Sequence, residues 1–383
     1  MQSYILSGAK ICLPDKIIEN HYLVIKNGII THINHEEISK PKNINVIRLR
    51  SNETIIPGFI DVHIHGANGS DVMDASLDGL NNIATTISKQ GVTSFLATTM
   101  TASDDATSKT LRNVAAYYNT ANKNGAKICG IHLEGPFLSE AKIGAQNSKF
   151  LTNPDIQLFE KWLEKSGNLI KKVTIAPEMS QASPLIEYMV KQNIIPSIGH
   201  TNCTAQEALK SIHLGATSAT HLFNAMSGVS HRKPGAATAI LLDDRVYSEL
   251  IIDGVHLSPE ITQLAYKIKG SSKIMLITDA MSAQSYGDGQ FMLGGQKVIV
   301  SGNEARLENG ALAGSVLTMN KAVKNMMKIT DCSLVDAVKM ATLTPAKNIG
   351  LDHKTGSIAI GKLADLAVLD KNLQIVYTYT SYQ

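Results

Sequence analysis

The chain has 383 residues, with 36 basic and 33 acidic side chains and a formal charge of +3 at neutral pH. Its hydrophobic content of 44% is enough to bury a large core, which excludes intrinsic disorder. The charges are mixed along the chain, so a nucleic-acid-binding protein is not indicated. The four cysteines are isolated from one another, which argues against a disulfide framework and against a thiolate zinc site.

The first residues do not have the pattern of a secretion signal. No apolar run has the length that a membrane-spanning helix needs. We therefore expect a cytoplasmic protein with no membrane partner.

Both ends of the chain have the pattern of β structure. Residues 1 to about 55 form short alternating segments separated by polar turns, and GSIAIGKLADLAVLDKNLQIVYTYT near the carboxyl end repeats this pattern. Pairing of the two ends would cover strand edges that neither end covers alone. We predict a small β-sandwich domain made of residues 1–55 and 356–383.

Between these ends, short apolar segments alternate with helical ones, which predicts an α/β fold. The helical stretches, such as AQEALKSIHLG and DATSKTLRNVAAYYNTANK, have apolar residues at three- and four-residue spacing. Eight such repeats indicate a (β/α)8 TIM-type barrel over residues 56–355. The candidate strands are IIPGFIDVHI, VTSFLATT, ICGIHLE, VTIAPE, IIPSIGH, ATSATHL, ELIIDGVH and KIMLITDA.

Two longer connections interrupt the repeat, one after the third strand and one after the eighth. They are residues 139–155 and residues 282–315. Long connections in a compact domain are usually binding loops or lids, so we expect substrate contacts there.

Several candidate metal ligands stand where the predicted strands end, which is where catalytic groups of such barrels cluster. An isolated His-x-His pair is more often a polar core pair than a metal site, but here it has further ligand types at other strand ends. Histidine and carboxylate groups suit zinc or iron, and one carboxylate can bridge two ions. The candidates are His63, His65, Glu134, His200 and His221.

Asp279 ends the eighth predicted strand. A carboxylate there could take a proton from a water whose pKa a metal lowers, and return that proton to a leaving group. The alternative is that Asp279 is the N-cap of a helix that begins in AMSAQ.

Three further side chains have less specific patterns. His132 lies on the same strand face as Glu134, so it either supports a ligand or packs in the core. Arg232, in HRKPG, has a guanidinium that suits a phosphate, although charged loops are usually just solvated. His256, in DGVH, either contacts substrate or packs under the loop.

With these residues in place, the sequence resembles the N-acetylglucosamine-6-phosphate deacetylases of the amidohydrolase superfamily. The matching strings, spread over nearly the whole chain, are PGFIDVHIHG, HLEGPF, GHTN, THLFNAM, RKPG, DGVH, TDAM and LAGS. The resemblance implies a divalent-metal enzyme, usually a homodimer, that removes acetate from N-acetyl-D-glucosamine 6-phosphate.

Residue roles also follow from this resemblance. It implies that Glu134, His200 and His221 bind the principal metal and that Asp279 is the catalytic acid and base. His63 and His65 would serve a second ion, because some members lack this pair and use one metal. The sugar phosphate would be held by Asn224, Ala225, Arg232 and His256, and by Gln146, which stands where other members have histidine. In dimeric relatives the neighbouring subunit can complete the phosphate pocket, so Arg232 could act across the interface.

Three alternatives stay open at this stage. Deacetylation of the galactosamine epimer would use the same acetamide and phosphate contacts. A cyclic-amide hydrolase would be expected to bridge its metals with a carboxylated lysine, where this chain offers Glu134. A non-catalytic scaffold should have lost ligands that are all present here.

Overall fold

The computed structural model describes residues 3–37, 39, 41, 44–120 and 125–381. Its largest sheet has eight parallel strands whose spatial order follows the chain. The first and eighth strands meet, because the N–H of Asp279 donates to the carbonyl of His63 at 2.9 Å. The predicted barrel is therefore confirmed. Its strands are Phe59–Ile64, Val92–Thr98, Lys127–Glu134, Ile170–Ile175, Ile195–Ile198, Ser218–Ala219, Tyr247–Ile251 and Ile274–Ile277.

The two helical stretches named from their spacing contain helices in the structure, Asp104–Tyr118 and Ala205–His213. Side-chain caps begin several helices: the Thr204 hydroxyl accepts from the N–H of Glu207, whose carboxylate accepts in return from the Thr204 N–H. The second helix ends at Tyr118, and residues 121–123 of the predicted stretch lie outside the described residues. The α-helices are Leu77–Ser88, Asp104–Tyr118, Ile156–Lys165, Ala182–Lys191, Ala205–His213, Ala236–Leu242, Pro259–Lys269, Met319–Thr330, Leu334–Ala341 and Leu343–Asn348.

Three short 3-10 turns, Val72–Asp74, Glu140–Lys142 and Ser148–Phe150, complete the helical structure of the described ranges. None of the helices in these ranges combines the length and the apolar character that crossing a bilayer requires.

The two ends of the chain form two further sheets that share an apolar core. One sheet holds Tyr4–Ser7, His21–Lys26, Ile29–His35 and Asn45–Arg48. The other holds Lys10–Cys12, Ile17–Ile18, Thr54–Pro57, Leu366–Leu369 and Ile375–Tyr379. The predicted pairing of the two ends is confirmed, since Leu366–Leu369 runs antiparallel to Thr54–Pro57. The domain limits at residues 55 and 356 stay a prediction.

One predicted strand is in fact two. IIPGFIDVHI was expected to be continuous, but Thr54–Pro57 belongs to the terminal sheet and Phe59–Ile64 to the barrel. Gly58 joins them, and a Cβ at this position would lie 2.2 Å from the Thr93 methyl group. The break is therefore a point where two backbone segments approach too closely for a side chain.

The long connection after the eighth strand contains a small antiparallel sheet rather than a simple loop. Its strands are Gly289–Leu293, Gln296–Ser301 and Glu304–Leu307. Inward-facing side chains of this sheet form a separate apolar cluster with Met100 and Met281. This packing holds the connection over the end of the barrel where the candidate ligands lie. A second small hairpin, Gly66–Ala67 with Ser70–Asp71, follows the first barrel strand.

We expect Gly199→Ala to destabilise the barrel by about 1–3 kcal/mol, because overpacking a tight interior costs about that much. A Cβ at Gly199 would lie 2.7 Å from the Thr220 Cβ and 2.9 Å from the Thr174 methyl group. Urea unfolding followed by circular dichroism measures the change. The matched control is Gly228→Ala, since nothing lies within 4 Å of its added Cβ. Equal stability of the two variants would contradict this packing argument.

Candidate active site

The six predicted ligand and acid–base residues meet at the carboxyl ends of the barrel strands. His63 lies on the first strand and Glu134 ends the third; the others stand one or two residues beyond a strand end. All six are buried. Residues distant in sequence therefore form one group, as in barrel enzymes generally.

Glu134, His200 and His221 form the first cluster of ligand atoms. Glu134 Oε1 lies 3.1 Å from His221 Nε2 and 3.3 Å from His200 Nε2, and the two Nε2 atoms are 3.1 Å apart. His200 Nδ1 lies 3.0 Å from the Lys142 carbonyl, so it carries the proton and leaves Nε2 free to bind a metal. Two imidazoles and a carboxylate that converge in this way fit zinc or iron.

His63, His65 and Asp279 form a second cluster beside the first. Asp279 Oδ1 lies 3.3 Å from His63 Nε2 and 3.2 Å from His65 Nε2. Glu134 is shared between the clusters, because its Oε1 is 3.5 Å from His63 and its Oε2 is 3.3 Å from His65. The geometry is that of two adjacent candidate metal sites that share the Glu134 carboxylate.

Backbone strain accompanies three of these residues. His200, His221 and Asp279 have φ values of 45°, 29° and 48°, a left-handed conformation that side-chain-bearing residues rarely adopt. Such conformations cost about 1–3 kcal/mol each and persist only where the surroundings fix them. At Asp279 the N–H donates to the His63 carbonyl, and the Asp279 carbonyl accepts from the Ser315 N–H at 2.8 Å. This left-handed backbone conformation at the strand ends directs the three side chains towards the centre of the site.

The charges of the site keep both carboxyl groups ionised. Burial alone would raise the pKa of Asp279, but His63 and His65 outweigh it and lower that pKa to about 2. Burial opposes ionisation of Glu134 as well, yet the surrounding histidines hold its pKa well below the usual range. Asp279 is therefore a carboxylate at neutral pH. No helix follows it before Met319, so the alternative N-cap role is wrong.

A cavity of about 390 Å³ opens over both clusters. This volume suits a small metabolite. Four of the five residues that the sequence assigns to substrate line it: Gln146, Asn224, Ala225 and His256. Both long connections contribute to its wall, through residues 141–146 and through Leu293, Ala311, Leu312 and Gly314. The substrate contacts expected there stay a prediction.

Arg232 differs from the other predicted substrate residues, because it is exposed and does not line the cavity. Lys142, which sequence reasoning did not single out, does line it. The phosphate role of Arg232 stays a prediction.

Gln146 contacts a candidate metal ligand, Glu134. Its Nε2 donates to Glu134 Oε2 at 2.8 Å, and its Oε1 accepts from the Thr101 N–H at 2.7 Å. The amide thus fixes the orientation of the Glu134 carboxylate. A contact with a sugar hydroxyl stays a prediction.

His132 and His256 contact neighbours that support the site. His132 packs edge-on against the ring of His63, with centroids 4.6 Å apart, and lies 2.7 Å from the Thr174 hydroxyl. His256 Nδ1 lies 2.7 Å from Asp253 Oδ2, so Asp253 orients this imidazole. Asp253 was not predicted, although DGVH contains it.

Two buried charged residues were also missed. Glu249 and Lys172 lie on the seventh and fourth barrel strands with no exposed area, and they form an ion pair. Glu249 Oε2 lies 3.0 Å from His63 Nδ1. The sequence offers little signal for either residue, because Glu249 begins the predicted strand ELIIDGVH and Lys172 precedes the predicted strand VTIAPE.

Comparison with known proteins agrees with this geometry. The model of the amidohydrolase family matches residues 54–382. N-acetylglucosamine-6-phosphate deacetylase of Bacillus subtilis is 38% identical over 98% of this chain and 96% of its own length. N-acetylgalactosamine-6-phosphate deacetylase of Escherichia coli O157:H7 is 32% identical over 97% of both chains.

Solved structures give the same result. The crystal structure of N-acetylglucosamine-6-phosphate deacetylase from Pasteurella multocida has a TM-score of 0.93 and 31% identity, covering 99% of this chain and 98% of that chain. The Mycobacterium smegmatis deacetylase, solved as a mutant in complex with N-acetyl-D-glucosamine-6-phosphate, also has a TM-score of 0.93, at 29% identity, over 100% of this chain and 99% of that chain. The chain therefore belongs to the amidohydrolase family, and its predicted resemblance to the N-acetylglucosamine-6-phosphate deacetylases is confirmed.

Proposed function

We propose that the protein hydrolyses the acetamide of N-acetyl-D-glucosamine 6-phosphate, giving D-glucosamine 6-phosphate and acetate. The observation that carries the proposal is the placement of the Asp279 carboxylate, 3.2–3.3 Å from the histidine pair of the second cluster, at the wall of the cavity. Relatives that match nearly the full chain are named for this activity.

The ligand set fits one or two divalent cations, which we propose to be zinc or iron. Such an ion supplies Lewis acidity, which makes water a nucleophile at neutral pH and polarises an amide carbonyl. Glu134, His200 and His221 would hold the principal ion, and His63 and His65 a second ion, with Glu134 shared between them. The cyclic-amide alternative is disfavoured because the group shared between the two clusters is Glu134, where such an enzyme would be expected to have a carboxylated lysine.

In this proposal Asp279 moves the proton in both halves of the reaction. As a carboxylate it accepts the proton of the attacking water, and it then donates that proton to the sugar nitrogen as the C–N bond breaks. The new C–O bond leaves acetate, and the amine leaves with the sugar phosphate. Asn224 and His256 line the cavity where the sugar would lie.

The test is acetate release from three sugars by the same metal-loaded protein. N-acetylglucosamine 6-phosphate, its galactosamine epimer and the unphosphorylated sugar are compared by kcat/KM. Fastest turnover of the first supports the proposal. Fastest turnover of the epimer would favour the alternative that the relative from Escherichia coli represents. Metal-loaded protein inactive on all three would overturn deacetylation and leave other amidohydrolase substrates or the scaffold as the alternatives.

We expect Arg232→Ala to raise KM for the sugar phosphate about 10–100-fold, since a lost charge-assisted hydrogen bond costs about 1.5–3 kcal/mol. The KM of the unphosphorylated sugar should stay unchanged. Arg245→Ala is the matched control, because Arg245 precedes the seventh strand and so lies at the opposite end of the barrel, paired with Asp243. Equal losses for both sugars would contradict a phosphate contact.

We further propose a cytoplasmic homodimer. In that arrangement Arg232, which is exposed in one chain, could reach a neighbouring cavity. Light scattering gives the mass of the protein in solution. A monomer would contradict the proposed homodimer and exclude a role of Arg232 across its interface.

A further inference from the structure

A buried ion pair lies inside the barrel below the two ligand clusters. Lys172 and Glu249 come from strands on different sides of the barrel, and neither has any exposed area. The ammonium group of Lys172 contacts Glu249 Oε1. Buried pairs of this kind add little to stability, because desolvation offsets their attraction. Their presence therefore calls for a role other than holding the barrel together.

The second oxygen of Glu249 contacts two of the candidate metal ligands. It lies 3.0 Å from His63 Nδ1 and accepts from the backbone N–H of His221 at 3.1 Å. A carboxylate can only accept, so the contact assigns the proton of His63 to Nδ1. The lone pair of neutral His63 is then on Nε2, which faces Asp279 and His65.

A buried carboxylate behind a histidine is a recognised way to orient that histidine and to raise its basicity as a metal ligand. Lys172 contacts the other oxygen of this carboxylate and so holds Glu249 in the orientation that faces His63. Contacts from Lys172 to Glu249 and from Glu249 to His63 thus connect the middle of the barrel to the second cluster.

We propose that Glu249, held in place by Lys172, is a positioning residue that makes His63 a metal ligand and thereby determines whether the second cluster binds a divalent cation. The inference rests on the metal sites of the proposed function. It concerns the second ion only, since the side chains of the first cluster do not contact the side chain of Glu249 among the contacts described.

The test measures Zn²⁺ binding to the full chain after removal of metal with a chelator. Wild type is expected to bind two Zn²⁺ ions, and Glu249→Gln to bind the second about 10–100-fold more weakly, with the first little changed. Asp61→Asn is the matched control. Asp61 is also a buried carboxylate of this region, but it accepts from the His63 backbone N–H rather than from the ring. Its second ion should bind as in wild type.

A double variant separates positioning from simple folding. Lys172→Met combined with Glu249→Gln leaves neither charge unpaired, so stability should return towards wild type while the second ion stays weakly bound. It also keeps the test decisive if Glu249→Gln alone fails to fold. The proposal would be overturned if the double variant bound the second ion as tightly as wild type does. It would also be overturned if the wild-type protein bound only one ion. Either result would leave deacetylation itself standing, because activity is measured separately.

Discussion

Asp279→Asn is expected to lower kcat for acetate release by about 10²–10⁴-fold, the usual contribution of a positioned general acid and base. Asparagine keeps the shape of aspartate but cannot take the proton of the attacking water or return it to the amine. The effect should fall on kcat more than on KM, because the substrate contacts proposed for Asn224 and His256 are unchanged. Steady-state kinetics with N-acetylglucosamine 6-phosphate give both constants.

The metal content of this variant is as informative as its rate. Glu134, His200 and His221 remain, so the principal ion should stay bound. Asp71→Asn makes the same change at a buried carboxyl group that caps a 3-10 turn outside the ligand clusters, and it should keep most of the activity. A metal-loaded Asp279→Asn protein with near-normal turnover would remove Asp279 from the chemistry.

The barrel and the placement of the candidate ligands at its strand ends were predictable because both depend on local patterns. Each barrel strand is a short apolar run, and a ligand at its end needs no knowledge of the other strands. His200 shows this: SIGH places a candidate metal ligand two residues beyond the end of a buried strand. Convergence of these ends then follows from closing a parallel barrel.

The parts that were not predicted depend on contacts between distant segments. Pairing of Glu249 with Lys172 joins the seventh and fourth strands, and nothing near either residue specifies the other. The split at Gly58 arises because Thr93 approaches its backbone. The amide of Gln146 turns towards Glu134 rather than simply outward, which is set by the Thr101 N–H. Such tertiary choices leave little trace in local periodicity.

Glu134→Gln is expected to remove metal from both clusters and to lower kcat/KM by about 10³-fold or more, since metal catalysis supplies several kcal/mol. The reason is its shared position: one oxygen faces His200 and His221, and the other faces His65. A glutamine amide has no net charge and offers one oxygen, so neither group of histidines keeps a carboxylate ligand from this residue.

His65→Ala provides the contrast, because His65 belongs to the second cluster alone. That variant should keep one ion per chain and lose the other, measured by atomic emission after dialysis. Glu140→Gln, an exposed glutamate in the connection after the third strand, should keep the metal content of wild type. If Glu134→Gln retained as much metal as Glu140→Gln, the two clusters would not depend on a shared carboxylate, and the first cluster would need a different ligand set.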